Sequence, residues 1–186
     1  MPIPLETERL VLRKYDEKDL SDIVTYSSSP DFWLVRNLDW KPNLEDARNY
    51  WEKQREIEPG DDPSWLALVI ELKDQEKVIG NTGIGVIRIG EDRQGTIGWL
   101  LGSAYQGMGY ATEAAEALLE FGFLEMRLHR ISARTALDNV RSWRLMERLG
   151  MRQEAHFRHS HIIKGEWKDE VIYAILEDEW RRREEK

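Results

Sequence analysis

Apolar positions along the chain recur either at strand spacing or at helix spacing, and the switches between the two mark out the elements. Leu10-Val-Leu-Arg13, following Thr7-Glu-Arg9, predicts a short first strand, and Asp16 to Ser29 predicts a helix that Pro30 stops. Asn43 is placed to cap a second helix running to about Glu58, with Asp46 in the capping-box position and Pro59-Gly60 at its end. Three β candidates follow: the apolar run Trp65-Leu-Ala-Leu-Val-Ile70, the β-branched stretch Val78 to Ile89, and Thr96-Ile-Gly-Trp-Leu-Leu101. The polar turns at 73–77 and 91–95 make an antiparallel meander of them.

At Ala111 the period changes. Small or apolar residues at 111, 114, 115, 118 and 122 predict an amphipathic helix to Glu125, with Glu113, Glu116 and Glu120 on its polar face. Arg130-Ile-Ser-Ala-Arg-Thr135 predicts a strand, and Val140 to Leu149 a short helix capped by Asn139 or Asp138 and closed by a left-handed Gly150. A hairpin of Arg152 to about His161 and Val171 to Leu176 comes next, joined across Lys164-Gly165. The tail from Glu177 is a charge run and reads as a solvated helix end. Strands, helix, strand, helix and hairpin in this order predict one α/β (α+β) domain over residues 1–186, built on a mixed sheet.

Composition narrows what such a domain can do. A net charge of −8 disfavours a nucleic-acid partner, which needs a basic surface, and favours a cationic one such as an amine or a basic protein tail. With no cysteine, disulfides, thiolate metal sites and a Cys nucleophile are excluded. Met1-Pro-Ile-Pro-Leu-Glu6 is not a signal peptide and no apolar stretch is long enough to span a bilayer, so a soluble, cytoplasmic protein is expected. Eight tryptophans suit both a core and an aromatic-lined cleft.

The candidate chemistry lies at Gln106-Gly-Met-Gly-Tyr-Ala111, which joins a strand to the best-defined helix. Glycines let backbone N–H groups converge on one point, and the helix start adds unpaired donors and the positive end of its dipole. That combination is an anion site for a phosphate or pyrophosphate. A nucleotide P-loop is excluded, because Gly107 is followed by Met108 rather than Lys-Ser/Thr. A dinucleotide fingerprint is excluded as well, because Thr112 stands where its last Gly or Ala belongs. The second pair, Gly83 and Gly85, lies within a strand pattern and reads as a bulge or a close-packing site.

The loop resembles the Gln/Arg-x-x-Gly-x-Gly/Ala signature of the GNAT superfamily of acetyltransferases. Asn139-Val-Arg-Ser142 followed by Leu149-Gly-Met151 resembles the Asn-x-x-Ala/Ser helix of that family and its Gly-Phe end. Tyr110-Ala-Thr-Glu-Ala114, His129-Arg-Ile131, Gly165-Glu-Trp-Lys-Asp169 and Tyr173-Ala-Ile-Leu176 resemble the RimJ/RimL-type branch, which acetylates ribosomal-protein N-termini at alanine or serine. Thr7-Glu-Arg-Leu10 and Val78-Ile-Gly80 match it too, so the resemblance runs through essentially the whole chain.

This resemblance implies a mixed, mostly antiparallel sheet of about seven strands flanked by about four helices. Acetyl-CoA would wedge where the fourth strand splays from the fifth. Trp99, Leu100 and Leu101 would offer backbone groups to the pantetheine, while Gln106, Gly107, Met108, Gly109, Tyr110, Ala111 and Thr112 would hold the pyrophosphate. Asn139 would bond the pantetheine, and Ser142 would sit near the thiol. Met146 replaces the Tyr that many members use to protonate the departing thiolate, which leaves Ser142 as the candidate acid. No metal is implied.

An amine must lose its proton to attack a thioester, so a base is needed. The fourth-strand segment Thr96 to Leu101 holds no carboxylate, whereas the penultimate strand holds His156, His159 and His161. An extended chain puts His159 and His161 on one face, and His161 is the candidate base, with His159 and Glu154 as alternatives. Trp33 and Arg36 are candidates for the acceptor pocket. Three functions stay open: acetylation of a protein N-terminus such as that of a ribosomal protein, acetylation of a small amine, and a non-catalytic acyl-CoA sensor. A monomer or a homodimer would serve any of them.

Overall fold

The computed structural model describes residues 3–28, 43–54, 57, 65–88, 92–163 and 165–184. Eight strands form one sheet in the order β1-β2-β3-β4-β5-β6-β8-β7. They are β1 (Leu5–Glu6), β2 (Leu10–Arg13), β3 (Trp65–Leu72), β4 (Lys77–Arg88), β5 (Gln94–Leu101), β6 (Arg130–Ala136), β7 (Arg152–Ile163) and β8 (Glu166–Leu176). Every pairing is antiparallel except that of β5 with β6. The α-helices are α1 (Leu20–Ser27), α2 (Leu44–Gln54), α3 (Tyr110–Leu124), α4 (Val140–Arg148) and α5 (Glu177–Glu184).

Beyond the seven strands of the pattern, the structure adds β1, a two-residue strand that pairs with β2. The fourth and fifth strands of the sequence reading are therefore β5 and β6. The tail also differs from expectation. It forms α5, and although most of its residues are charged, Trp180 is only 8 % exposed and lies 5.3 Å from the Phe123 ring. Arg183 fastens this helix to the Leu149 carbonyl and, at 2.7 Å, to Glu116.

Helix termini follow the local signals. The Asn43 side chain accepts from the N–H groups of Glu45 and Asp46, while Asp46 accepts from the Asn43 N–H (2.9 Å), a complete capping box. Of the two candidates for the α4 cap, Asn139 takes the role, and Asp138 pairs instead with Lys168 at 3.1 Å.

The sheet separates two apolar cores. On one face, Leu66, Leu68, Ile70, Ile84, Ile97, Ile131, Tyr173 and Ile175 pack beneath α3, α4 and α5. Gly122 of α3 sits tight on this face, since a Cβ there would lie 2.6 Å from Ile131 Cδ1. On the other face, Ala67, Val69 and Val78 pack beneath Leu20, Ile23 and Tyr26 of α1 and Ala47 of α2.

Arg13, at the end of β2, turns the chain into this second layer. Its guanidinium holds Asp19 through two bonds of 2.7 Å and also grips Glu71, and these partners raise its pKa, the Asp19 hydrogen bond most of all. Asp19 is 2 % exposed, so removing its cation strands a buried charge. Arg13→Met is expected to lower the unfolding free energy by about 3 kcal/mol, read from the urea midpoint. A loss below about 1 kcal/mol would show that Asp19 is satisfied without it.

Candidate functional site

β5 and β6 pair in parallel over three residues only: Gln94 with Arg130, Gly95 with Ile131 and Thr96 with Ser132. The last tie is Ser132 Oγ donating to the Gly95 carbonyl at 3.2 Å. Beyond it each strand keeps its other neighbour. β5 stays on β4 through Leu101↔Gly80, and β6 stays on β8 through Ala136↔Glu170. The two strands diverge, and their inner edges, at 97–101 and 133–136, face one wedge without pairing to each other. Backbone groups on such edges need partners, and an extended ligand arm carrying amides can supply them. Trp99 and Leu100 are half-buried there and Leu101 is buried.

The glycine loop stands at the mouth of this wedge. After Leu101 and Gly102 the chain makes one 3₁₀ turn, Ser103–Tyr105, and passes through Gln106 to Gly109 into α3. Gly107 (φ 79°) and Gly109 (φ 86°) are both left-handed, a conformation that costs a side chain-bearing residue about 1–2 kcal/mol. Gly109 is the N-cap of α3 and provides no side-chain cap. The first N–H groups of the helix are thus left to an outside acceptor, and an anion fits there. Gly107, Met108 and Gly109 are exposed, while Tyr110, Ala111 and Thr112 are half-buried.

Gln106 joins the walls. Its Nε2 donates to the Leu101 carbonyl (3.2 Å) and its Oε1 accepts from Arg141 of α4 (2.7 Å). α4 therefore borders the same opening as the end of β5. In its first turn the Asn139 side chain accepts from the Ser142 N–H at 3.4 Å, which leaves the Asn139 amide nitrogen as a donor. Ser142 is half-buried. Met146, one turn later, is 1 % exposed and belongs to the core.

The histidines are arranged differently from the extended-chain expectation. A bulge in β7 places 158–160 between the pairs Phe157↔Glu170 and His161↔Lys168, and His159 is left-handed at φ 48°. The alternation that would align His159 with His161 is broken. The His159 N–H donates to Asp169 Oδ1 (2.9 Å), and His156 Nε2 lies 2.7 Å from Asp169 Oδ2. These contacts, the His159 N–H first, hold the Asp169 carboxyl below its usual value. Glu154 is occupied by Arg130, whose hydrogen bond lowers its pKa.

His161 stands apart, with its Nδ1 3.2 Å from Ser160 Oγ. It is opposite Lys168, an odd number of residues from the core-facing Val171, so its side chain is on the sheet face away from α4. Ser142 and His161 thus approach the sheet from opposite sides. Trp33 and Arg36 lie outside the described residues.

Two side chains escaped the sequence reading. Arg141 reaches the loop only through the fold. Trp65 reaches from β3 across β4 to β5: a Cβ on Gly83 would be 2.6 Å from its Cε2, and one on Gly98 3.2 Å from its Cη2. Close packing at Gly83 was legible, but the ring that needs it was not. Among the described residues, no group of three His, Cys, Asp or Glu side chains is placed to hold a metal ion.

The geometry of the loop generates a graded expectation. Gly107→Ala adds backbone strain alone, because nothing lies within 4 Å of its Cβ position, whereas Gly109→Ala also pushes a Cβ to 3.2 Å from Arg9 Nη2. Equilibrium dialysis with CoA should show both variants weakened and Gly109→Ala more so. Unchanged binding in both would contradict an anion site here.

The acetyltransferase (GNAT) domain family matches residues 9–152. The uncharacterized N-acetyltransferase YnaD of Bacillus subtilis (strain 168) is 35 % identical over 178 residues, 95 % of this chain and 98 % of that protein. The [ribosomal protein uS5]-alanine N-acetyltransferase of Escherichia coli (strain K12) is 25 % identical over 183 residues, 96 % of this chain and 93 % of that one. The crystal structure of a GNAT-family acetyltransferase from Bacillus anthracis superposes with a TM-score of 0.79 at 33 % identity, covering 94 % of this chain and 98 % of its own. The parted strands, the left-handed glycine loop and these relatives agree: the chain belongs to the GNAT acetyltransferases, which take their acetyl group from acetyl-CoA, and it is similar to their ribosomal-protein branch.

Proposed function

We propose that the protein acetylates the N-terminal α-amino group of a protein, such as a ribosomal protein, by direct attack of the amine on the thioester of acetyl-CoA. The observation that carries the donor half is the wedge between β5 and β6 with the glycine loop at its mouth. The acceptor half is supported by the full-length similarity to a uS5-alanine N-acetyltransferase and by a net charge of −8, which favours a basic partner.

The inner edge of β5 at Trp99 to Leu101 offers the pantetheine arm backbone partners, and an N–H there stabilises the oxyanion of the tetrahedral intermediate. The loop from Gln106 to Thr112 takes the pyrophosphate, and the Asn139 amide bonds the arm. The amine nitrogen bonds to the carbonyl carbon from the sheet face opposite α4, and the C–S bond breaks. His161 takes the amine proton, directly or through a water. In the tautomer that donates Nδ1–H to Ser160, Nε2 keeps the lone pair a base needs. Ser142 gives its hydroxyl proton to the departing thiolate from the α4 side and takes one back from solvent water, to which His161 releases the proton it received. Trp33 and Arg36 are assigned to the acceptor pocket.

Ser142→Ala and His161→Ala are each expected to lower turnover by about a hundredfold. Wild-type turnover in both variants across about pH 6–9 would remove the assignment. Acceptor identity is read from thiol release with short peptides differing at their first residue, against spermidine and an aminoglycoside. Peptide-dependent release supports the proposal. Release with the small amines alone makes the protein a small-amine acetyltransferase, and tight acetyl-CoA binding with no release at all makes it a sensor.

A further inference from the structure

Behind the glycine loop, on the side away from the wedge, lies a cluster that joins three separate pieces of chain. Arg9 follows β1, Glu113 is in the first turn of α3, and Met108 is in the loop itself. The Glu113 carboxylate accepts from Thr7 Oγ1 (2.6 Å), the Arg9 backbone N–H (2.8 Å) and Arg9 Nε (2.7 Å), with Arg9 Nη2 at 2.6 Å. Burial alone would raise the Glu113 pKa, but hydrogen bonds from Thr7 and Arg9 outweigh it and hold the carboxyl below its ordinary value. The same guanidinium donates Nη1–H to the Met108 carbonyl at 3.0 Å and lies 4.5 Å from the centre of the Tyr110 ring.

The bond to Met108 matters because a peptide unit is planar and trans, so its C=O and N–H point in opposite directions. Drawing the Met108 carbonyl back toward Arg9 turns the Gly109 N–H forward, to the side on which an anion would sit. The unit it fixes lies between left-handed Gly107 and left-handed Gly109, where the chain has the most conformational freedom to lose. A lysine could not replace Arg9 here. The planar fork grips a carboxylate with Nε and Nη2 and still has Nη1 for a carbonyl, whereas an ammonium is a single point donor. The Arg9 charge is already matched by Glu113, so its contribution is orientation rather than a free cation for the phosphates.

We infer that Arg9, held by Glu113 and Thr7, is the positioning residue of the pyrophosphate loop: it pre-sets the backbone donors and so governs affinity for the diphosphate end of the donor, while leaving the pantetheine end untouched. This rests on the reading of residues 106–112 as the pyrophosphate site of acetyl-CoA. A purely structural role would weaken every ligand alike, so the test divides the donor into fragments.

Isothermal titration is carried out with CoA, 3′-phospho-ADP and pantetheine on the wild type and on Arg9→Met, which keeps an apolar stem against Tyr110 but loses all the donors. The dissociation constants of CoA and 3′-phospho-ADP are expected to rise about tenfold, the equivalent of one charge-assisted hydrogen bond, with that of pantetheine unchanged. Glu113→Gln, which frees Arg9 with little change of shape, should give the same split and serves if Arg9→Met does not fold. Equal weakening of all three ligands, or no weakening of CoA, would overturn the inference. If the wild type binds neither CoA nor 3′-phospho-ADP, the coenzyme reading itself falls, an outcome distinct from a normal wild type with an indifferent variant.

Discussion

Everything at the candidate site depends on how early β5 and β6 part. Three paired residues are enough to align the strands and too few to close the sheet. Because β5 remains bonded to β4 and β6 to β8, the parting costs neither strand its place. It opens two backbone edges onto a single wedge, and backbone groups so placed favour a ligand that can bond them. A sheet opened at an outer edge would expose a similar row of groups to any passing strand. Opened in the middle, it exposes them only within a slot whose walls are fixed on both sides.

The surrounding features serve that slot. On one face, α3 supplies an uncapped N-terminus and α4 presents Asn139 and Ser142, with Gln106 bridging the end of β5 to Arg141. On the other, α1 and α2 cover the sheet from β3 to β4, and the Trp65 ring extends this cover to Gly98 of β5. Arg13 and Asp19 anchor the chain where it enters this second layer. Ser142 stands on the α4 side of the sheet, whereas His161 is on the opposite face of β7, the outer strand next to β8.

How much of this could be read in the sequence depended on the distance over which each signal acts. The Asn43–Asp46 capping box, left-handed Gly150 and the glycine loop were legible because residues within about one turn determine them. The Thr7–Arg9–Glu113 cluster was not, since Arg9 and Glu113 are 104 residues apart and Glu113 looks like any other acid on a helix's polar face. The β7 bulge was hidden because Arg158-His159-Ser160 contains no glycine or proline to announce it, and it separated His159 from His161. Trp180 was concealed within a charge run, where a single large aromatic outweighs its neighbours in deciding where the helix docks.

Amide hydrogen exchange with and without CoA tests the central claim most directly. The account predicts that CoA slows exchange at the amides of 99–101 and 107–112 together, the open strand edge and the helix start, and leaves those of 83–85 unchanged. Saturating CoA that protects neither segment, or that protects residues away from the wedge, would contradict it.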